Sequence, residues 1–185
     1  MPIQPPKPTP RRVIVLCGPP GVGKFSIARI LADRTKFKLF HNHLMVDLLE
    51  SLFEFGSRPF VELRERYWLD ALTRAADEGV EGVLFTLAFD KTLSPAFPGR
   101  LDEALRDRKV SVLFVELACA PKVLESRIVS PERTRYGKLI SIDRYRELES
   151  TGSFIRLSLP AGTASIDTTN LSVEATAEKI YQLIS

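Results

Sequence analysis

Gly18-Pro19-Pro20-Gly21-Val22-Gly23-Lys24-Phe25-Ser26 stands between two segments of different character. Before it, Val13 to Cys17 is continuously apolar, as a strand covered on both faces should be. After it, Ile27, Ile30 and Leu31 recur at the spacing of one helix face. Strand, glycine-rich turn and helix together form the setting that a phosphate-binding P-loop requires. Gly18, Gly21 and Gly23 remove side chains, so backbone N–H groups can turn inward around phosphate oxygens. The helix start points its partial positive charge at the same place. Lys24 adds a full charge for the β- and γ-phosphates.

The motif expects Ser or Thr directly after the lysine, as a Mg²⁺ ligand. Here that residue is Phe25, and the hydroxyl comes one place later, at Ser26. Ser26 is the candidate metal ligand, directly or through water; its alternative task is to cap phosphate.

A chain of 185 residues is close to one domain and long enough to bury roughly 70% of its unfolded surface. Residues 11–185 are read as that domain. Residues 1–10, with prolines at 2, 5, 6, 8 and 10, are read as an extended, poorly ordered arm without the apolar segment of a signal peptide. With 26 basic and 23 acidic residues the net charge is +3, too mild to argue for nucleic acid. No apolar run approaches 18 residues, so no membrane span is expected, and the reading is cytoplasmic. Cys17 and Cys119 sit in apolar runs without metal-type spacing and read as packed thiols in a reducing compartment.

Beyond the first strand and helix, short strands are expected at residues 37–40, 83–89, 110–118 and 164–167. Helices are expected over 44–53, 60–77, around 101–105, and over 121–128, 142–150 and from Ser172 onward. For the long helix the apolar stripe is Phe60, Leu63, Tyr67, Ala71 and Leu72, with Glu62/Arg66 and Asp70/Arg74 as outer i,i+4 pairs. Strands alternating with helices predict a parallel sheet covered on both faces, with a ligand beyond the carboxyl ends of the strands.

A loop with its hydroxyl one place late resembles that of the adenylate kinases. Nearly the whole chain, roughly residues 12–184, resembles the small P-loop kinases that include shikimate kinase and adenylate kinase. The helix Val123-Leu124-Glu125-Ser126-Arg127, running into the arginine-rich Pro131-Glu132-Arg133-Thr134-Arg135-Tyr136-Gly137-Lys138, is similar to the segment before their mobile lid. Ile166-Asp167-Thr168-Thr169-Asn170 resembles the stretch that borders their adenine ring. The resemblance implies a three-layer α/β P-loop NTPase fold, a five-stranded parallel sheet in the order 2-3-1-4-5 and a lid over about 130–139. It also implies ATP and Mg²⁺ as cofactors, and Arg127, Thr168 and Asn170 as nucleotide contacts.

The shikimate determinants do not carry over. Gly56 and Phe60 match the shikimate kinase pattern, but Val61 replaces the arginine that holds the carboxylate. His41-Asn42-His43 replaces its Asp-x-Asp, and residues around Thr86-Leu87-Ala88 replace its three glycines. The expectation is therefore a kinase for some other small-molecule acceptor, of unread oligomeric state. Lys24, Arg133 and Arg135 neutralise the transferring phosphate, and Asp90 takes the acceptor proton, holds a metal-bound water, or caps a turn. His41, Asn42, His43 and Arg64 border the acceptor, with the two histidines pointing different ways if their strand continues. A nucleic-acid 5′-kinase is an alternative, although the aromatic and basic interleaving it needs is missing outside the lid. An ATP-sensing module without turnover is another, kept open by Phe25 and by the missing Asp-x-Asp.

Overall fold

The structure, a computed structural model, describes residues 11–129, 141–154 and 157–185. The proline-rich arm and the lid, with Arg133 and Arg135, lie outside the described residues. Five parallel strands, β1 (Arg12–Gly18), β2 (Lys38–Phe40), β3 (Gly82–Ala88), β4 (Ser111–Ala118) and β5 (Ala164–Asp167), form one sheet in the order β2-β3-β1-β4-β5. Seven helices accompany them among the described residues: α1 (Lys24–Thr35), α2 (His43–Glu50), α3 (Arg58–Asp77), α4 (Phe97–Arg106), α5 (Pro121–Ile128), α6 (Ile142–Ser150) and α7 (Val173–Ile184).

The period-2 alternation of a strand explains why β1 is apolar throughout. Val13, Val15 and Cys17 face one way, against Trp68 and Leu72 of α3 and Phe97 and Leu101 of α4. Ile14 and Leu16 face the other, against Ile27 and Leu31 of α1 and Ala177 and Ile180 of α7. Helices therefore cover both faces, as parallel sheets require. Val46 and Leu49 of α2 pack on Phe60 of α3, at the carboxyl end of β2. Among the described residues no helix is long and apolar enough to cross a membrane.

The rotation of α3 departs from the apolar stripe. Its buried residues are Phe60, Arg64, Glu65, Trp68, Leu72 and Ala76, whereas Tyr67 and Ala71 are exposed. Ser94 N–H and the Arg100 guanidinium hold Glu65 inside. Arg64 is stacked on Phe60 and Trp68. The surface ion pairs are Arg58–Glu62, Arg66–Asp70 and Arg74–Glu78, replacing the pairs expected from spacing alone. α2 ends at Glu50 instead of 53, because the chain turns at Ser51 and Leu52 toward Gly56, whose φ of +79° suits glycine.

Cys17 Sγ donates to Val115 O at 3.4 Å, and burial pushes its thiol up to about 12. Cys119 is only partly buried. At pH 8 the native protein is therefore expected to show one thiol reactive toward a disulfide reagent, and two after denaturation. Rapid modification of both thiols in the native state would contradict this packing.

Candidate active site

β1 delivers the chain into the loop with Gly18 at φ +141°, Gly21 at +89° and Gly23 at +102°, values that L side chains rarely adopt. A Cβ on Gly18 would meet the Leu117 carbonyl oxygen of β4 well inside van der Waals contact, and one on Gly21 would lie 3.0 Å from Ile128 of α5. The loop is thus clamped between β4 and α5 by the absence of side chains. Gly23 is the N-cap of α1 and leaves the helix without a side-chain cap or an acidic residue in its first turn. The start of α1 thus turns its partial positive charge toward the loop, where an anion would sit. Lys24 Nζ donates to the carbonyls of Gly18 at 2.7 Å and Pro19 at 2.8 Å, tying the lysine across its own loop.

A cavity of about 690 Å³ opens at the carboxyl ends of the strands. It is lined by Pro20, Gly21, Val22, Gly23, Lys24, Phe25 and Ser26 of the loop, and extends both ways from it. Of the residues singled out from the sequence, it also brings together His41, Asn42, His43, Arg64, Asp90, Arg127 and Thr168. Gly18 and Pro19 do not line it, and neither does Asn170, which is exposed.

At one end of the cavity, β2 stops at Phe40 and Asn42 already has helical backbone angles as the N-cap of α2. Strand alternation therefore does not hold over the histidines. Instead of diverging, the rings of His41 and His43 stack with centroids 5.0 Å apart, and Phe25 meets His41 edge-on at 4.3 Å. Asn42 is buried; its N–H donates to Thr86 Oγ1 and its Oδ1 accepts the Thr86 hydroxyl, both at 3.2 Å. Asp90 follows β3 and divides its oxygens between two tasks. Oδ1 accepts from the Thr92 N–H and hydroxyl, which is the turn cap foreseen from its position. Oδ2 lies 3.4 Å from Nη1 of Arg64, whose side chain is 1% exposed. Burial lowers the Arg64 pKa, while Asp90 acts the other way.

At the other end, Arg127 closes α5 onto the loop that follows β5. Its Nη1 donates to Thr168 Oγ1 at 2.9 Å and its Nη2 to the Thr168 carbonyl at 2.7 Å. Thr168 in turn gives its N–H and hydroxyl to the Ala118 carbonyl at the end of β4. Leu171 and Val173 line the cavity beside this clasp.

Sequence reasoning missed Phe55, Phe89 and Val46, which line the first end, and Leu148 and Phe154. A phenylalanine beside the turn glycine Gly56 was the available signal for Phe55.

No family model and no curated protein match the chain. Solved structures do. The chain is similar to an unliganded sugar kinase from Janibacter (18% identity, 95% of each chain covered, TM-score 0.65). It is also similar to the Mycobacterium tuberculosis APS kinase in complex with AMPPNP and APS (15% identity, 96% of this chain and 99% of that one, TM-score 0.66). A third is Acinetobacter baumannii shikimate kinase in complex with shikimate (21% identity, 95% and 94% covered, TM-score 0.58). At these identities the likeness is one of fold: the five-stranded parallel sheet in the order 2-3-1-4-5, flanked by helices, is that of the P-loop kinases.

Proposed function

We propose that the chain is an ATP-dependent phosphotransferase acting on a small-molecule acceptor. The observation that carries this is the single cavity on either side of Lys24, with a clasped loop at one end and Arg64 and Asp90 at the other. Two ligands entering from its two ends would meet at the loop, the arrangement that phosphoryl transfer needs. The residues present fit a nucleoside triphosphate: glycine backbone at positive φ, an uncapped helix start and a lysine. Residues 18–26 would hold its phosphates, and Arg127 and Thr168 would border the nucleoside. Asp90 Oδ2 is the candidate acceptor for the substrate's hydroxyl proton.

Among the described residues no group of three or more His, Cys, Asp or Glu is gathered to hold a metal. The Ser26 hydroxyl, which lines the cavity and is exposed, would be the residue of the loop to hold Mg²⁺. When bound, the ion supplies neutralising charge on the phosphates. Ser26→Ala is then expected to weaken Mg²⁺-dependent nucleotide binding more than metal-free binding. Equal loss with and without Mg²⁺, measured by calorimetry, would show that the hydroxyl serves phosphate or fold instead.

The test of the reading as a whole is ADP formation from Mg-ATP with pooled hydroxyl compounds. Stimulation by one acceptor class supports it. Tight nucleotide binding that no acceptor converts to turnover would make the chain a binding module.

A further inference from the structure

We infer that the acceptor is an alcohol with an apolar, ring-sized body and one anionic group, the anion seated on Arg64 and the body against Phe55. This rests on the kinase reading and narrows its substrate class.

Arg64 lines the cavity, yet its side chain is almost wholly buried. Its one polar side-chain contact among the described residues is Asp90 Oδ2 at 3.4 Å, long for a charge-assisted bond. Nε and Nη2 are buried with no hydrogen-bond partner among the described residues. Unmet donors on a buried charge are costly, and native structures rarely keep them without a partner. The guanidinium cannot turn away for solvent, because Phe60 and Trp68 flank it, with Cζ 5.3 and 5.0 Å from their ring centroids. A fork of this kind matches the paired oxygens of a carboxylate or similar oxyanion.

Apart from His41, His43 and Asp90, the rest of this end offers little to a polyol. Val46, Ala88 and Phe89 are apolar, and Asn42 Oδ1 and the Thr86 hydroxyl are bonded to each other. Each sugar hydroxyl buried here without a partner would cost binding energy. Phe55 lines the cavity and is still 53% exposed, an open ring at its mouth. Leu52, 70% exposed, lies three residues before it in the chain. Such a surface suits an apolar body better than a hydrated one.

The test compares four probes on the AMPPNP-loaded protein: 3-phenyllactate, its neutral analogue 3-phenylpropane-1,2-diol, glycerate and gluconate. Phenyllactate is expected to bind roughly ten-fold or more tighter than the diol, which lacks the anion, and than glycerate, which lacks the ring. Arg64→Met should erase the preference over the diol, and Phe55→Ala the preference over glycerate. The unmodified protein decides the question even if Arg64→Met fails to fold. Gluconate as the tightest probe, a diol equal to phenyllactate, or no binding by any probe while AMPPNP binds would overturn the inference and leave the kinase reading standing. Failure to bind AMPPNP would remove both.

Discussion

Lys24→Ala is expected to weaken nucleotide binding by roughly 10- to 150-fold. A charged donor to phosphate contributes on the order of 1.5–3 kcal/mol, and each 1.4 kcal/mol is a factor of ten. The structure adds a second reason for a large effect. Lys24 Nζ bridges the Gly18 and Pro19 carbonyls, so the same side chain also holds the loop in shape. Its removal takes away both the charge and part of the pre-organisation. Lys24 is outside all three core clusters, and the melting temperature should change little. Calorimetry with AMPPNP and a thermal melt check the two halves. Undiminished affinity in the variant would remove the phosphate-binding assignment of the loop.

Gly18→Ala is expected to be strongly destabilising. Two effects combine: a φ of +141° that only glycine adopts readily, and a Cβ driven into the Leu117 carbonyl of the adjoining strand. Strain of this kind costs about 1–3 kcal/mol, and overpacking about 1–3 kcal/mol more. A carbonyl in a sheet ladder cannot step aside as a flexible side chain can. For a chain of this size the sum corresponds to a fall in melting temperature of roughly 5–20 °C. Gly79→Ala is the control, because Gly79 also has positive φ (+77°) but a Cβ there meets nothing within 4 Å. Its loss should be confined to the conformational part. Equal losses at the two positions would show that the contact with Leu117 is unimportant.

The parts of the fold that depend on local pattern were legible in the sequence. The apolar run of β1, the glycine spacing and the Ser172 cap of α7 each announce their element within a few residues; Ser172 Oγ accepts from Ala175 N–H as expected. α5, α6 and β5 fall at the residues expected. Arg64 was harder to place. A charged residue in a helix reads as solvent-facing, and its burial depends on Asp90, 26 residues away, and on the rings that stack on it. Glu65 is likewise held by Ser94 and Arg100, partners that no helical periodicity contains. The histidines were misjudged for another reason. Their directions depend on where β2 ends, and a three-residue strand gives alternation no length over which to establish itself. The acceptor end is assembled from side chains far apart in the chain, so its apolar character emerged only from the fold.

The central place of β1 in the sheet also bears on how the chain is made. Both of its neighbours come much later in the chain: Arg12 lies opposite Gly82, 70 residues on, and opposite Ser111, 99 residues on. At about 5–20 residues per second, its second partner is translated roughly 5–20 s after the strand itself. During that interval Val13 to Cys17 is an apolar strand with two open edges and no sheet to enter. Slow, non-local pairing of this kind makes the nascent chain dependent on dilution or chaperone cover. Yield in a heterologous host should therefore respond more to growth temperature and expression rate than to the stability of the finished fold.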